Sequence, residues 1–301
     1  MRFLANNIMR GSMAAILVTS VTAMLGLLLP PLGYLSAAAI GLVTLRLGLT
    51  EALKVISGAA LATAVLGGLL VGNPMLPLAF LVALWLPLLV TAWSLRRTAD
   101  LARSLRLSAL FGVILIFAFH AVIDNPTEWW LQFLRQMVEQ APVEQQDILL
   151  PILEQLAGLM TGMVGAATVL GIILSLLLAR WWQASLYNPG GFRHEFHALR
   201  LGNIVAGVAA LLLIVAWLQP AGWQVIIDLL PLALLLCLLQ GLAVAHGLVA
   251  KRGASTGWLV AMYALLLLPI VATQAVLLMA VVGMMDNWLD FRVRMGAGRS
   301  E

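Results

Sequence analysis

The side chains able to do chemistry are few in this sequence, and the tightest group is His194-Glu195-Phe196-His197. Two imidazoles around a carboxylate suggest zinc. The helical zinc-protease signature needs its histidines four residues apart, on one helix face. Here the spacing is three and no further ligand lies close in sequence, so no metal site is assigned. A second group consists of polar residues within apolar runs: His120, Asp228, Gln240, His246, Thr273 and Gln274. Ionisable groups in membrane segments mark functional sites. His120 and Asp228 lie near run ends, where exposure at the interface accounts for them as well. Gln240 and His246 are about 1.7 helical turns apart and do not face the same way. With Thr273 and Gln274, which follow Pro269, they either line a polar cavity or hydrogen-bond to neighbouring helices.

Phosphate loops, nucleophile elbows, dinucleotide fingerprints and cysteine-pair metal sites are absent from the sequence. No paired carboxylates or Ser/His/Asp set lies close enough in sequence to propose catalysis. No catalytic residue and no cofactor is assigned, and the expected role is not enzymatic. The one cysteine, Cys237, sits in LLLCLLQ and reads as a small packing residue.

The elements that position these groups follow from composition. Of 301 residues, 62% are hydrophobic and 10% charged, and the mean hydropathy is +1.03. A soluble domain carries about 25% charged residues. The expectation is an all-α, polytopic helical membrane protein whose first partner is the lipid bilayer. The net charge of +4 would suggest nucleic acid in a soluble protein. Here its distribution over the loops decides, and no nucleic-acid partner is expected.

Nine apolar runs follow one another, giving eight to nine transmembrane helices. The first, 11–29, is preceded by Arg2 and Arg10 and stops at Pro30-Pro31; it is about twice as long as a signal-peptide core and reads as an uncleaved first helix. The second, 33–47, is short, rich in Gly and Ala, and the weakest span. Runs at 55–71, 77–95 and 107–123 follow, with Pro87 expected to kink the middle one. Asn125-Pro126 then starts a helix that sets Trp130, Phe133, Leu134, Met137 and Val138 on one face, opposite Glu128, Arg135, Gln136 and Glu139. Ala141-Pro142 breaks it, and a second amphipathic helix leads into the run 156–179, which ends at Arg180-Trp181-Trp182 with both tryptophans at headgroup depth. Runs at 201–218, 225–250 and 258–285 complete the chain, separated by the outer turn Gln219-Pro220-Ala221-Gly222-Trp223 and by Lys251-Arg252; the last is longer than the hydrocarbon is thick, so either Pro269 kinks it or its end emerges from the bilayer. The organisation is one integral membrane domain over 1–301, with N-terminal helices at 11–123, an amphipathic outer hairpin at 124–155 and C-terminal helices at 156–301.

The segment RRTADLARSLR, with four arginines against Asp100, faces the cytoplasm by the positive-inside rule. Alternation from there puts the N-terminus in the cytoplasm and thirteen bases against three acids on that side. The expected location is the inner membrane of a cell. Nine spans leave Arg292, Arg294 and Arg299 on the opposite side, against the rule; eight spans, with two runs merged or one re-entrant, return them.

The longest polar interval on the basic side is Arg180–Arg200. Its Asn188-Pro189-Gly190-Gly191 stretch is a turn between helices, in which Pro189 fixes φ and the glycines permit positive φ. Beyond it Phe192 and Phe196 share a face, with Arg193 and the histidines on the others, a short helix that a partner or an anionic headgroup can contact. Arg180, Tyr187 and Arg200 complete this candidate docking surface.

Arg180-Trp-Trp-Gln183, Leu186-Tyr-Asn-Pro-Gly-Gly-Phe192, Glu195-Phe196, Leu199-Arg-Leu201 and Asp290-Phe-Arg292 together resemble the YybS-like bacterial membrane proteins, over nearly the whole chain. That resemblance implies a helical membrane protein and assigns no activity. The N-terminal half is distantly similar to substrate-binding membrane components of energy-coupling-factor vitamin transporters, in its order of a first span, a Pro break, a short Gly/Ala-rich span and a basic turn. Two functions are thereby expected to compete. One is a transport-type protein holding a small solute between helices; the other is a membrane scaffold or assembly factor that meets a cytoplasmic or membrane protein through Arg180–Arg200 and transports nothing.

Overall fold

The computed structural model describes residues 2–138, 143–218 and 222–294, so the break at Ala141-Pro142, the turn Gln219-Pro220-Ala221 and Arg299 lie outside the described residues. Among the described residues the chain is all-α. The helices are α1 (Arg2–Ile8), α2 (Ser12–Gly26), α3 (Pro30–Leu47), α4 (Leu49–Leu70), α5 (Leu76–Phe80), a π-helical turn (Leu81–Trp85), α6 (Leu86–Thr98), α7 (Leu101–Val122), α8 (Pro126–Val138), α9 (Val143–Tyr187), α10 (Gly191–His197), α11 (Asn203–Leu218), α12 (Gln224–Ile227), α13 (Leu230–Arg252), α14 (Gly257–Leu267), α15 (Pro269–Leu289) and α16 (Phe291–Arg294).

Seven stretches are long and apolar enough to cross a membrane: α3, α4, α5 through α6, α7, the Pro151–Tyr187 part of α9, α12 through α13, and α15. The shorter apolar helices α2, α11 and α14 accompany them. The protein is a multi-pass, helical membrane protein. The chain falls into two compact units, residues 1–108 with 168–199 and residues 109–167 with 200–301, which cut across the sequence divisions at 123 and 155.

In the first unit the core is α3, the run expected to be its weakest span. Ser36 through Leu45 are buried without interruption. A helix buried on every side must be small or apolar on every side, and SAAAIGLVTL meets that condition. Pro30 and Pro31 occupy its first turn, where their missing N–H groups have no intrahelical partner to lose. Gly48 ends it at φ 102°, a conformation open to glycine. Trp85 in the π-helical turn is fully buried and donates Nε1–H to Ser36 Oγ at 3.0 Å. The backbone disturbance expected near Pro87 is thus a π turn ahead of the proline.

In the second unit α13 and α15 are the central pair. Their backbones meet at Gly241 and Gly283: a Cβ on Gly241 would strike the Met279 carbonyl, and one on Gly283 the Cys237 carbonyl. Ala209, Leu212, Ala233, Cys237 and Ala280 fill the surrounding core, so Cys237 is a packing residue, buried with a free thiol. The last apolar run is not one kinked span. Pro269 has no N–H to continue α14, and the chain breaks at Leu268 (ψ 113°) before α15 begins. At its far end Lys251 Nζ donates to the Arg292 carbonyl at 2.8 Å. The described tail therefore shares the end of the second unit that carries Lys251.

Candidate functional site

The interval from Arg180 begins as helix. Nothing in Arg180–Leu186 interrupts α9, which stops at Tyr187, where Asn188 precedes a proline and is steered out of the helical region. Of the paired tryptophans, Trp181 is exposed and Trp182 is fully buried. The charge of Arg180 inside the helix is absorbed locally. Its guanidinium grips Glu195 of α10 with two hydrogen bonds, Nε to Oε2 at 2.9 Å and Nη2 to Oε1, and donates Nη1–H to Gln183 Oε1 at 3.1 Å. Bidentate pairing of this kind fixes orientation as well as distance.

The end of α3 is tied to the same place. Leu45 O accepts from Gln183 Nε2 at 3.4 Å and from Arg96 Nη1 at 3.0 Å, while Thr44 O accepts from Arg96 Nη1 at 3.2 Å. These donors satisfy carbonyls that a helix C-terminus leaves open and oppose its negative end. Arg46 lies over the Tyr187 ring, 4.3 Å from its centroid. Gly190 takes the expected positive φ, 89°, and Gly191 N–H closes the turn on the Asn188 carbonyl at 3.0 Å. Phe192 and Phe196 stack at 6.0 Å, as their spacing implies. Asn188, Pro189, Gly190 and Arg193 remain exposed.

Arg200 is used differently. It pairs with Asp290 in the second unit, so the two separated motif pieces Leu199-Arg-Leu201 and Asp290-Phe-Arg292 meet there. Beside them lies a buried polar knot centred on Asp286, which is 0% exposed. Its carboxylate accepts from Arg292 Nη2 at 2.7 Å, from Gln240 Nε2 at 3.3 Å and from the Phe291 N–H at 3.1 Å. Gln240, 1% exposed, accepts the Leu201 N–H on Oε1 at 2.8 Å. Sequence reasoning does not single out Asp286; the signal available was an acid closing an apolar run, six residues before an arginine. For Asp290, partial burial raises the carboxyl, but the hydrogen bond and charge of Arg200 outweigh it and hold the group below its ordinary value of 3.8.

The four candidate cavity residues are not gathered together. Gln240 belongs to the knot. His246 Nδ1 lies 2.9 Å from the Leu242 carbonyl, with Tyr263 Oη 3.5 Å from Nε2. Thr273 and Gln274 are exposed on α15. His120 and Asp228, by contrast, do meet. Asp228 is 2% exposed, its Oδ2 is 2.7 Å from His120 Nε2, and its Oδ1 accepts from Gln224 Nε2 at 3.2 Å. Gln224 also donates to the Gly158 carbonyl at 2.6 Å, and Gly162 has no side chain to keep the Asp228 backbone away. Exposure at an interface therefore does not account for Asp228. On the apolar face of α8, Trp130 donates to Thr161 Oγ1 at 3.0 Å, whereas Phe133 and Met137 are exposed. Among the described residues no group of His, Cys, Asp and Glu is placed to hold a metal. No family model, curated protein or solved structure matches this chain.

Proposed function

We propose that this protein is a membrane-embedded scaffold that presents the Asn188–Phe196 surface to a protein partner. One observation carries the reading: the base of this segment is fixed by Arg180–Glu195, Gln183–Leu45 and Arg46–Tyr187, while its tip is exposed. A recognition surface already held in one shape loses little conformational freedom on binding. Four glycines of the apolar helices support the same reading, because Gly41, Gly171, Gly241 and Gly283 pack against neighbours, whereas Gly158 and Gly207 face open space. On this reading the basic end is cytoplasmic, the membrane is the inner membrane of a bacterial cell, and the chain is kin to the YybS-like proteins it resembles.

A photo-crosslinking residue at Asn188 is expected to capture one discrete protein in cells, and Arg193→Glu to remove that adduct while the melting temperature of the purified protein stays unchanged. The same adduct from a control position on lipid-facing Leu69, or its persistence in Arg193→Glu, would overturn the reading. Arg200 is a poor site for such a test, since charge reversal there also breaks the pair with Asp290.

A transport-type function, with a small solute bound in the second unit, draws support from the buried His120–Asp228 pair, since ionisable groups at membrane depth line solute and proton paths. It requires solute-dependent stabilisation of the purified protein that Asp228→Asn removes.

A further inference from the structure

We propose that the charged end of the first unit is a binding site for anionic phospholipid, its phosphate held by Arg97 and Arg46 and its acyl chain lying along α6. The acids at this end are already engaged. Glu51 accepts from Lys54 and Ser12, Asp100 Oδ1 accepts the Arg103 N–H, and Glu195 is held by Arg180. Arg96 directs its guanidinium to the carbonyls ending α3. Among the described residues, Arg46 and Arg97 have aromatic rings as their neighbours and form no ion pair: Arg46 lies 4.3 Å from the Tyr187 centroid and Arg97 5.1 Å from that of Trp93. A guanidinium placed over a ring still has N–H groups to offer elsewhere, and two of them match two oxygens of a phosphate. Both arginines are exposed, and the Arg96–Leu45 bond ties the two helix ends that carry them.

A second observation selects a lipid over a soluble phosphate. Leu86, Val90, Trp93 and Arg97 recur at intervals of four, three and four along α6, and all four are exposed. That spacing is one helix face. It descends from a cation through an interfacial aromatic to plain hydrocarbon over about 16 Å, close to the ~15 Å depth of one leaflet's hydrocarbon. Charge complementarity therefore names the headgroup and the apolar stripe names the tail. The site shares Arg46 with the base of the Asn188–Phe196 segment but no side chain with its exposed tip, so Arg97→Gln is the variant that tests it apart from the scaffold reading.

The experiment uses the full chain purified in a zwitterionic detergent, with phosphatidylglycerol, phosphatidylcholine or inorganic phosphate added. Thermal melting and native mass spectrometry are the readouts. Phosphatidylglycerol is expected to raise the melting temperature and remain bound in the spectrometer, whereas phosphatidylcholine and inorganic phosphate do neither. Arg97→Gln and Arg46→Gln should each weaken phosphatidylglycerol binding on the order of fivefold, and together roughly 25-fold. Because Arg97 is exposed, Arg97→Gln should melt like the parent without lipid, which separates loss of binding from loss of fold. Equal stabilisation by phosphatidylcholine or by inorganic phosphate, or an undiminished preference in the double variant, would overturn the proposal.

Discussion

A buried carboxylate is tolerable only while its partners stay in place, and Asp286 shows what that requires. Arg292 supplies the opposite charge, and Gln240 and the Phe291 N–H bond two further lone pairs. Removing one member of such a pair strands the other. Asp286→Ala should destabilise the protein by roughly 3–5 kcal/mol, read by unfolding in detergent. Replacing both charged members by apolar residues of similar volume should cost far less, since no buried charge then remains. Asp290 predicts a pH effect of definite sign. Its carboxyl is held below 3.8 in the fold, so its contribution is complete above the ordinary value and disappears as the pH falls through the folded one. Below about pH 4 the parent should lose stability more steeply than Asp290→Asn; parallel curves would show that the Arg200–Asp290 pair does nothing.

Among elements, glycine positions separate into those that meet backbone and those that meet a flexible side chain. A Cβ on Gly283 would collide with the Cys237 carbonyl, which cannot rotate away, whereas one on Gly58 meets the end of Ile16. Gly283→Ala should therefore cost about 1–3 kcal/mol and Gly58→Ala distinctly less; equal losses would contradict a backbone contact between α13 and α15. Most elements were legible before any coordinates, because apolar runs bounded by arginines and prolines leave the chain few alternatives. Asn125-Pro126 starts α8 as its residues imply, with Asn125 Oδ1 accepting the Glu128 N–H at 3.2 Å. The two chief surprises have physical causes. The run 33–47 reads as weak through its shortness, yet small side chains are what a fully enclosed helix needs. α9 continues to Tyr187 because nothing in Arg180–Leu186 breaks a helix, and the pair with Glu195, invisible to local pattern, holds the charge of Arg180 there. The Asp286 knot was illegible for a similar reason: its members are 46 residues apart or more along part of the network, and only the fold joins them.

For the whole molecule the testable quantity is the side on which each segment emerges. Lys251 holds the Arg292 carbonyl, so single cysteines at Ser255 and Val293, introduced with Cys237 replaced by alanine, should react with an impermeant reagent from the same side of sealed vesicles. Labelling from opposite sides would contradict the return of the chain at Pro269. The outcome also decides between the counts left open by the charges, because a broken last run brings Arg292 and Arg294 back among the other bases.

That break has a consequence for the surrounding lipid. An 11-residue α14 rises only about 16 Å, roughly half the thickness of the oily layer, and Pro269 offers no hydrogen to the carbonyl four positions before it. Flanking Leu267 and Ile270 are 80% and 90% exposed, so a peptide carbonyl that the proline leaves open at this corner has no thick protein shell around it. Hydrocarbon cannot solvate it. A corner at that depth is expected to draw water or headgroups toward it, read as a local thinning of the membrane beside Pro269.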